Sequence, residues 1–313
     1  MLDFTVAIPT YNGANRLPLV LDKLKAQTGT EKISWEIVVI DNNSNDDTAK
    51  VVKEYQADWL SPYPLNYCFE PQQGSAFARV RAIQEAKGEL VGFLDDDNLP
   101  ASEWVAEAYY FAKDRPLAGA YSGQIHGQFE VKPQENLEKI YPFLAIREHG
   151  KKSCLFEPDK LRLPPTAGLV VRQQAWVESV PLDLRLIGRV KGNVGIGGED
   201  YEVLLYMHKA GWQIWYNPAM HIDHLIPQWR LERDYLLSLA RSCGLPTCQL
   251  RLINASNWQK PIVILRTLLG NFRRLILHLL KYRGKVKTDL IVAFELHFFW
   301  GSLMSCFYLG KKP

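Results

Sequence analysis

Cysteine is too sparse and too irregular in this chain to build a disulfide framework. Its five cysteines (Cys68, Cys154, Cys243, Cys248 and Cys306) make an odd number, with no C-x-x-C pair and no zinc-site spacing. They read as reduced thiols in a cytosolic compartment. The opening MLDFTVAIPTYNG carries an acid at position 3 and only a short apolar run, so it lacks the basic and apolar regions of a secretory signal. Glycine is scarce where a dinucleotide site would need it: IPTYNGANR offers Gly13 alone, which excludes G-x-G-x-x-G. No internal repeat and no low-complexity tract interrupts the chain.

What is present suits a large core. The 313 residues, 47% of them hydrophobic, are enough for one large α/β domain or two smaller ones. The charge is unevenly spread. Residues 258–313 hold ten Lys/Arg against two acids, a net +8, which leaves −5 for residues 1–257 of a chain whose total is +3. A basic appendage of this kind is suited to an anionic surface, while the main body does something else.

Apolar segments rich in β-branched residues alternate with helical patterns, which predicts a mainly parallel sheet covered by helices. Strands are expected at 4–9, 35–41, 65–70, 89–95, 118–125 and 167–171, and helices at 16–27, 46–56, 75–86 and 201–211. From Pro227 onward the pattern is helical. Pro133, Pro142, Pro158, Pro164 and Pro165 mark a loop-rich stretch between, and GNVGIGG (192–198) reads as a flexible loop able to order around a ligand.

The segment VGFLDDDNLP ends a strand in three consecutive carboxylates, Asp95, Asp96 and Asp97. Such a run is either a solvated turn or a divalent cation site, since Mg²⁺ and Mn²⁺ take carboxylate oxygens and neutralise a diphosphate as well. Alternate residues of an extended segment share a side, so Asp95 and Asp97 are expected to face one ion and Asp96 to point away, its neutralisation having little effect. A phosphatase of the D-x-D-x-T/V type fits poorly, because its aspartate follows the first strand and Asn98 stands where Thr or Val belongs.

VAIPTYNGANRL, EIVVIDNNSNDDT, GSAFARVRAI, GFLDDDN and GGEDYEVLLYMHKAGW follow one another over roughly residues 3–230. Together they resemble the family 2 glycosyltransferases, which have the GT-A fold and use nucleotide-diphosphate sugars. The resemblance implies an α/β GT-A domain with a nucleotide-sugar half at 1–100, an acceptor half at 101–230 and a helical, basic appendage at 231–313. It implies nucleotide contacts from Pro9, Thr10, Tyr11, Asp41, Asn43, Arg79, Asp95 and Asp96, with Asp41 accepting from a uracil ring. It implies that Mn²⁺ or Mg²⁺ is held by Asp97, Asp95 and His224, with His221 the weaker candidate. Asp200 would be the base and Glu199 would help place the acceptor. Two departures matter. Val80 stands where an Asn usually follows Arg79, and PQWR (227–230) does not match the processive Q-x-x-R-W, so transfer of a single sugar is expected.

The alternatives are structural. Tyr11 also suits a strand end, Asp41 a turn, Arg79 a helix surface, and Glu199 with Asp200 a helix N-terminus. Expected partners are a UDP-sugar and a glycan or lipid-linked acceptor, with no nucleic acid. The chain is also similar to the cyanobacterial hormogonium polysaccharide glycosyltransferases, which implies exopolysaccharide synthesis. A sugar-nucleotide-forming nucleotidyltransferase would need a Gly-rich, basic first loop, and a non-catalytic carbohydrate-binding protein would have no use for Asp97 and Asp200.

In the tail, Leu265, Leu268, Leu269, Phe272, Leu275, Ile276, Leu279 and Leu280 form one helical stripe, with Arg266, Arg273, Arg274 and Lys281 largely on another face. That predicts a basic amphipathic helix at the cytoplasmic face of a membrane. Residues 290–310 are long and apolar enough to span, to insert shallowly or to pack in a bundle, although Glu295 and His297 make a span costly.

Overall fold

The computed structural model describes residues 1–190 and 193–308. The two-residue period of the first strand sets the layering. In β1 (Leu2–Thr10), Phe4, Val6 and Ile8 belong to one apolar layer and Ala7 to another. Helix α1 (Leu17–Lys25) buries Leu17, Val20, Leu21 and Leu24, the i, i+3, i+4, i+7 face, in the layer with Phe4, Val6 and Ile8. Strand β2 (Trp35–Asp41) is buried along its whole length, as a parallel strand covered on both faces must be.

The chain continues through α2 (Thr48–Ala57), β3 (Leu65–Phe69), α3 (Ser75–Glu85), β4 (Gly88–Phe93), β5 (Asn98–Pro100), α4 (Trp104–Lys113) and β6 (Ala118–Phe129). After β7 (Cys154–Leu155), β8 (Val170–Arg172) and α5 (Gln173–Ser179) come the hairpin β9 (Gly188–Val190) and β10 (Asn193–Ile196), then α6 (Glu199–Lys209) and β11 (Gln213–Ile226). The main sheet runs β3, β2, β1, β4, β8, β6, β11, β5, with β7 also on β11. Strands β1 to β4 pair in parallel, as do β6 and β11, whereas β5, β7 and β8 join antiparallel. One sheet therefore crosses residue 100, where the sequence suggests a division between two halves.

The expected elements are present with ends shifted by a few residues, and β6 runs on to Phe129. Strand β11 gave no clear strand signal because Pro218 lies in it. The pairing with β6 shifts register between Tyr216 and His221, which is how a strand accommodates a proline. The expected glycine loop is a hairpin on both sides of Lys191 and Gly192, which lie outside the described residues.

Helices α7 (Arg233–Gly244), α8 (Thr247–Ile253), α9 (Lys260–Tyr282) and α10 (Leu290–Met304) complete the fold. Leu290–Phe307 could cross a membrane by length and composition, yet α10 packs in this bundle. Its contact with α7 is glycine-tight: a Cβ at Gly244 would lie 2.5 Å from the Phe298 carbonyl oxygen, and one at Gly301 2.6 Å from that of Arg241. All five cysteines are free.

Candidate active site

Strands β1 and β2 end together, with Thr10 beside Asp41, and β4 ends three residues earlier, with Phe93 beside Ala7. Their loops form one wall of a cleft of about 1340 Å³, the usual place for a ligand in an open α/β sheet. Pro9, Thr10, Tyr11, Asp95, Asp96 and Asp97 all line it.

The three aspartates do not alternate as a strand would require, because Asp96 and Asp97 lie in a turn. Asp96 is clamped toward the first loop. Arg16 donates to it twice, Nε to Oδ1 at 2.8 Å and Nη2 to Oδ2 at 2.9 Å, and Thr10 Oγ1 donates to Oδ2 at 2.5 Å. Gly13 is required under this clamp, since a Cβ there would lie 2.1 Å from Thr10 Oγ1. The expectation that Asp96 points away is therefore corrected: it lines the cleft and its carboxylate joins the β1 loop to the acid run.

Asp97 faces the other way. Its Oδ2 lies 2.8 Å from Arg230 Nη2 and 3.7 Å from His224 Nε2, on β11. Burial alone would raise the Asp97 carboxyl, but its contacts with His224 and Arg230 hold it well below the usual carboxylate range. Asp95 is half-exposed and 3.9 Å from Arg79 Nη2.

Across the cleft, Gly198, with φ +98°, turns the chain into α6 so that Glu199 and Asp200 stand at its first turn. The neighbours are used differently. Glu199 Oε1 accepts from Ser75 Oγ at 2.6 Å and from Arg79 Nη1 at 2.9 Å, tying α6 to α3. Burial would raise the Glu199 carboxyl, yet Arg79 and Ser75 hold it down. Asp200 accepts from its neighbouring Tyr201 N–H at 2.9 Å. Burial, then the charge of Glu199, push its carboxyl up to about 6. Two adjacent acids with opposite shifts are what separates a positioning group from a base.

The residues fit a divalent cation in a limited way. Arg230 Nη1 lies 2.9 Å from His224 Nε2, the ring nitrogen that also faces Asp97 Oδ2. Asp97 and His224 thus offer one oxygen and one nitrogen, with Oδ2 shared with Arg230. Among the described residues no three His, Cys, Asp or Glu side chains converge. A hard cation held by so few protein ligands relies on phosphate oxygens and water for the rest. His221 is turned elsewhere, its Nδ1 2.9 Å from His126 Nε2.

The expected nucleotide contacts separate. Asp41 is buried behind the cleft wall, accepting from Ser44 N at 2.9 Å and Tyr67 Oη at 2.8 Å. Asn43, at φ +63°, donates to the Pro71 carbonyl at 3.1 Å. Neither lines the cleft; Asn42 does, and its Oδ1 accepts from Gly74 N at 2.9 Å. Sequence reasoning missed Asn42, Arg16, Ser75, Arg189 and Arg230, all of which line the cleft. Only PQWR drew notice, as a motif in the wrong order.

The profile of the family described as Glycosyl transferase family 2 matches residues 5–168, just over half of the chain. The chain belongs to glycosyltransferase family 2. Among relatives of this chain, uncharacterized glycosyltransferase YfnE of Bacillus subtilis is 31% identical over 163 residues, 50% of this chain and 40% of that protein. Validoxylamine A glucosyltransferase of Streptomyces hygroscopicus subsp. jinggangensis is 29% identical over 225 residues, 66% of this chain and 51% of that one. The chain thus spans about half or less of the length of these curated relatives. Among solved structures, mannosyltransferase PcManGT from Pyrobaculum calidifontis in complex with GDP-Man and Mn²⁺ is similar with a TM-score of 0.60 at 17% identity, covering 99% of this chain and 90% of that one. Staphylococcus aureus TarS 1–349 in complex with UDP-GlcNAc gives a TM-score of 0.54 at 13% identity, covering 98% and 91%. These likenesses show the GT-A fold.

Two measurements follow from the site's charges. Asp96→Asn is expected to lower the urea midpoint by the equivalent of about 1 kcal/mol, because the Arg16 guanidinium loses its bidentate partner, a loss partly offset because burial pushes the Asp96 carboxyl up. A midpoint equal to the parent's would show that the clamp is dispensable. For Asp200, the folded-state value of about 6 lies above the ordinary 3.8, so the folded protein binds this proton more tightly than the unfolded chain. The stability that proton contributes is fully present below about pH 4 and is lost as pH rises through about 6. Asp200→Asn, with no charge to bury, should exceed the parent in stability by about 1–3 kcal/mol at pH 7.5 and match it near pH 4. Urea melts in chelator at several pH values test this, and a pH-independent difference would contradict it.

Proposed function

We propose that the protein transfers a single sugar from a nucleotide-diphosphate donor, a UDP-sugar, to the hydroxyl of a glycan or lipid-linked acceptor, with inversion, in cell-surface polysaccharide assembly. The observation that carries this reading is the split between Glu199 and Asp200 in a cleft whose other wall carries Asp95, Asp96 and Asp97. The names of similar proteins support a nucleotide-sugar donor, since solved relatives hold UDP-GlcNAc or GDP-Man.

In this reading Asp200 accepts the proton of the acceptor hydroxyl as its oxygen attacks the anomeric carbon. The bond from that carbon to the diphosphate oxygen breaks, and the diphosphate leaves with the electron pair. A carboxyl held near pH 6 is ionised at neutral pH yet basic enough to take a proton in the transition state. Glu199, already ionised and bound to Arg79 and Ser75, keeps α6 in place and keeps Asp200 aimed into the cleft. Arg79, Arg189 and Arg230 supply positive charge beside the acids. Asp97 and His224, with Asp95 at the rim, would hold Mn²⁺ or Mg²⁺, which supplies Lewis-acid stabilisation of the leaving diphosphate when bound.

Binding and turnover should separate in two variants. Asp97→Asn is expected to lose the gain in UDP affinity that Mn²⁺ confers on the parent, read by calorimetry with and without the ion. Asp200→Asn should keep donor affinity while UDP release from a UDP-sugar falls by roughly 10²- to 10⁴-fold. A panel of UDP- and GDP-sugars identifies the donor. Tighter binding of GDP-sugars would overturn the uridine assignment, and near-parental turnover in Asp200→Asn would move the base elsewhere.

A further inference from the structure

Helix α9 carries its polar side inward. Its buried side chains are Thr267, Asn271, Leu275 and His278. The three polar ones are all satisfied within the fold: Asn271 Nδ2 donates to the Ser302 carbonyl at 3.2 Å, the His278 ring meets the Val292 carbonyl at 2.9 Å, and Thr267 Oγ1 accepts from Arg251 at 3.4 Å. The opposite arc holds Leu265, Leu269, Phe272, Ile276 and Leu280, each between 39% and 60% exposed. Of the stripe expected from the sequence, only Leu275 is buried. A soluble helix buries its apolar stripe, so this arc is built to meet something apolar.

The charges beside it identify the occupant. Arg266 and Arg273 are exposed on the flank of the arc, and Arg283, Lys285 and Lys287 follow in the turn after the helix. No Asp or Glu occurs between Lys260 and Lys287. A second copy packed face to face on the same arc would set these cations against their own equivalents with no acid to balance them. An anionic bilayer offers hydrocarbon and negative charge side by side, in the order the helix presents them. Trp258, 72% exposed just before the helix, and Trp300, 45% exposed on α10, are of the type that settles at such a boundary.

We infer that α9 lies in the plane of an anionic lipid bilayer, its apolar arc among the acyl chains and its arginines at the headgroups. The cleft that contains Asp200 is also lined by Asn271, Arg274, Phe298 and Ser302, from α9 and α10. On the transferase reading above, docking through α9 holds the cleft behind the helix, about one helix diameter (~10 Å) from the lipid surface, close enough for an acceptor anchored in the bilayer to extend to Asp200. The docking itself does not depend on that reading.

The test uses the full chain, sedimented with vesicles of phosphatidylcholine alone or with phosphatidylglycerol added to about a third of the lipid. Binding to the mixed vesicles is expected to be at least tenfold stronger, on the order of fivefold per engaged basic side chain. Arg266→Glu with Arg273→Glu should remove most of the salt-sensitive part, and Leu269→Asp the part that persists in high salt. UDP affinity, measured without vesicles, should be unchanged in both variants. It tests the transferase reading separately, since the two variants lie outside the cleft. Parent protein that ignores anionic vesicles would overturn the inference. So would a lipid-free dimer that Leu269→Asp converts to monomer, since the arc would then belong to a second copy.

Discussion

The buried ion pair between Arg79 and Glu199, 2.9 Å long, joins helices that lie 120 residues apart in sequence. It is one of several such pairings, because five carboxylates meet at this end of the sheet and their mutual repulsion has to be offset if the cleft is to fold. Arg16 neutralises Asp96, Arg79 neutralises Glu199 and approaches Asp95, and Arg230 neutralises Asp97. Each arginine comes from a different part of the chain, so the site forms only when the loop before α1, helix α3 and the segment after β11 are all in place. Asp200 is the acid left without a cation at ion-pair distance among the described residues, and burial, then the charge of Glu199, raise its affinity for a proton, as burial does for Asp96 despite Arg16. The same arrangement that stabilises the cleft therefore leaves one carboxylate suited to proton transfer.

The C-terminal helices solve a different problem. Polar side chains of α9 are satisfied inside the bundle by α8 and α10, which frees its leucines to face outward. Burial of hydrogen-bonded polar groups costs little, whereas leaving an apolar arc in water is unfavourable in proportion to its area. That exposed arc is the one we assign to a bilayer. The glycine-tight contact of α10 with α7 helps fix where that arc stands relative to the cleft.

Much of this was legible locally. The alternation in FTVAIP, the continuous apolar run of EIVVI and the Leu17, Val20, Leu21, Leu24 spacing are properties of neighbouring residues, so the strands and helices of the first hundred residues could be read directly. The acid run and the Glu199–Asp200 pair were visible for the same reason. Strand β11 was not, because Pro218 masks the strand pattern and only pairing with β6 reveals that the chain resumes on the other side of it. Arg230, carried next to that strand, went unrecognised with it.

The sequence by itself determined the family, the order of the elements and the set of acids, since each is encoded in short, contiguous stretches. Only the tertiary structure decided what those residues do. Asp96 and Asp97 are chemically alike and adjacent, yet one clamps a loop and the other faces His224, because the turn aims them at different cations. Glu199 and Asp200 differ because Arg79 reaches one of them. A helical wheel of α9 shows two faces and is silent on which turns inward; the carbonyls of Ser302 and Val292, contributed by another helix, settle it by accepting hydrogen bonds from the polar one.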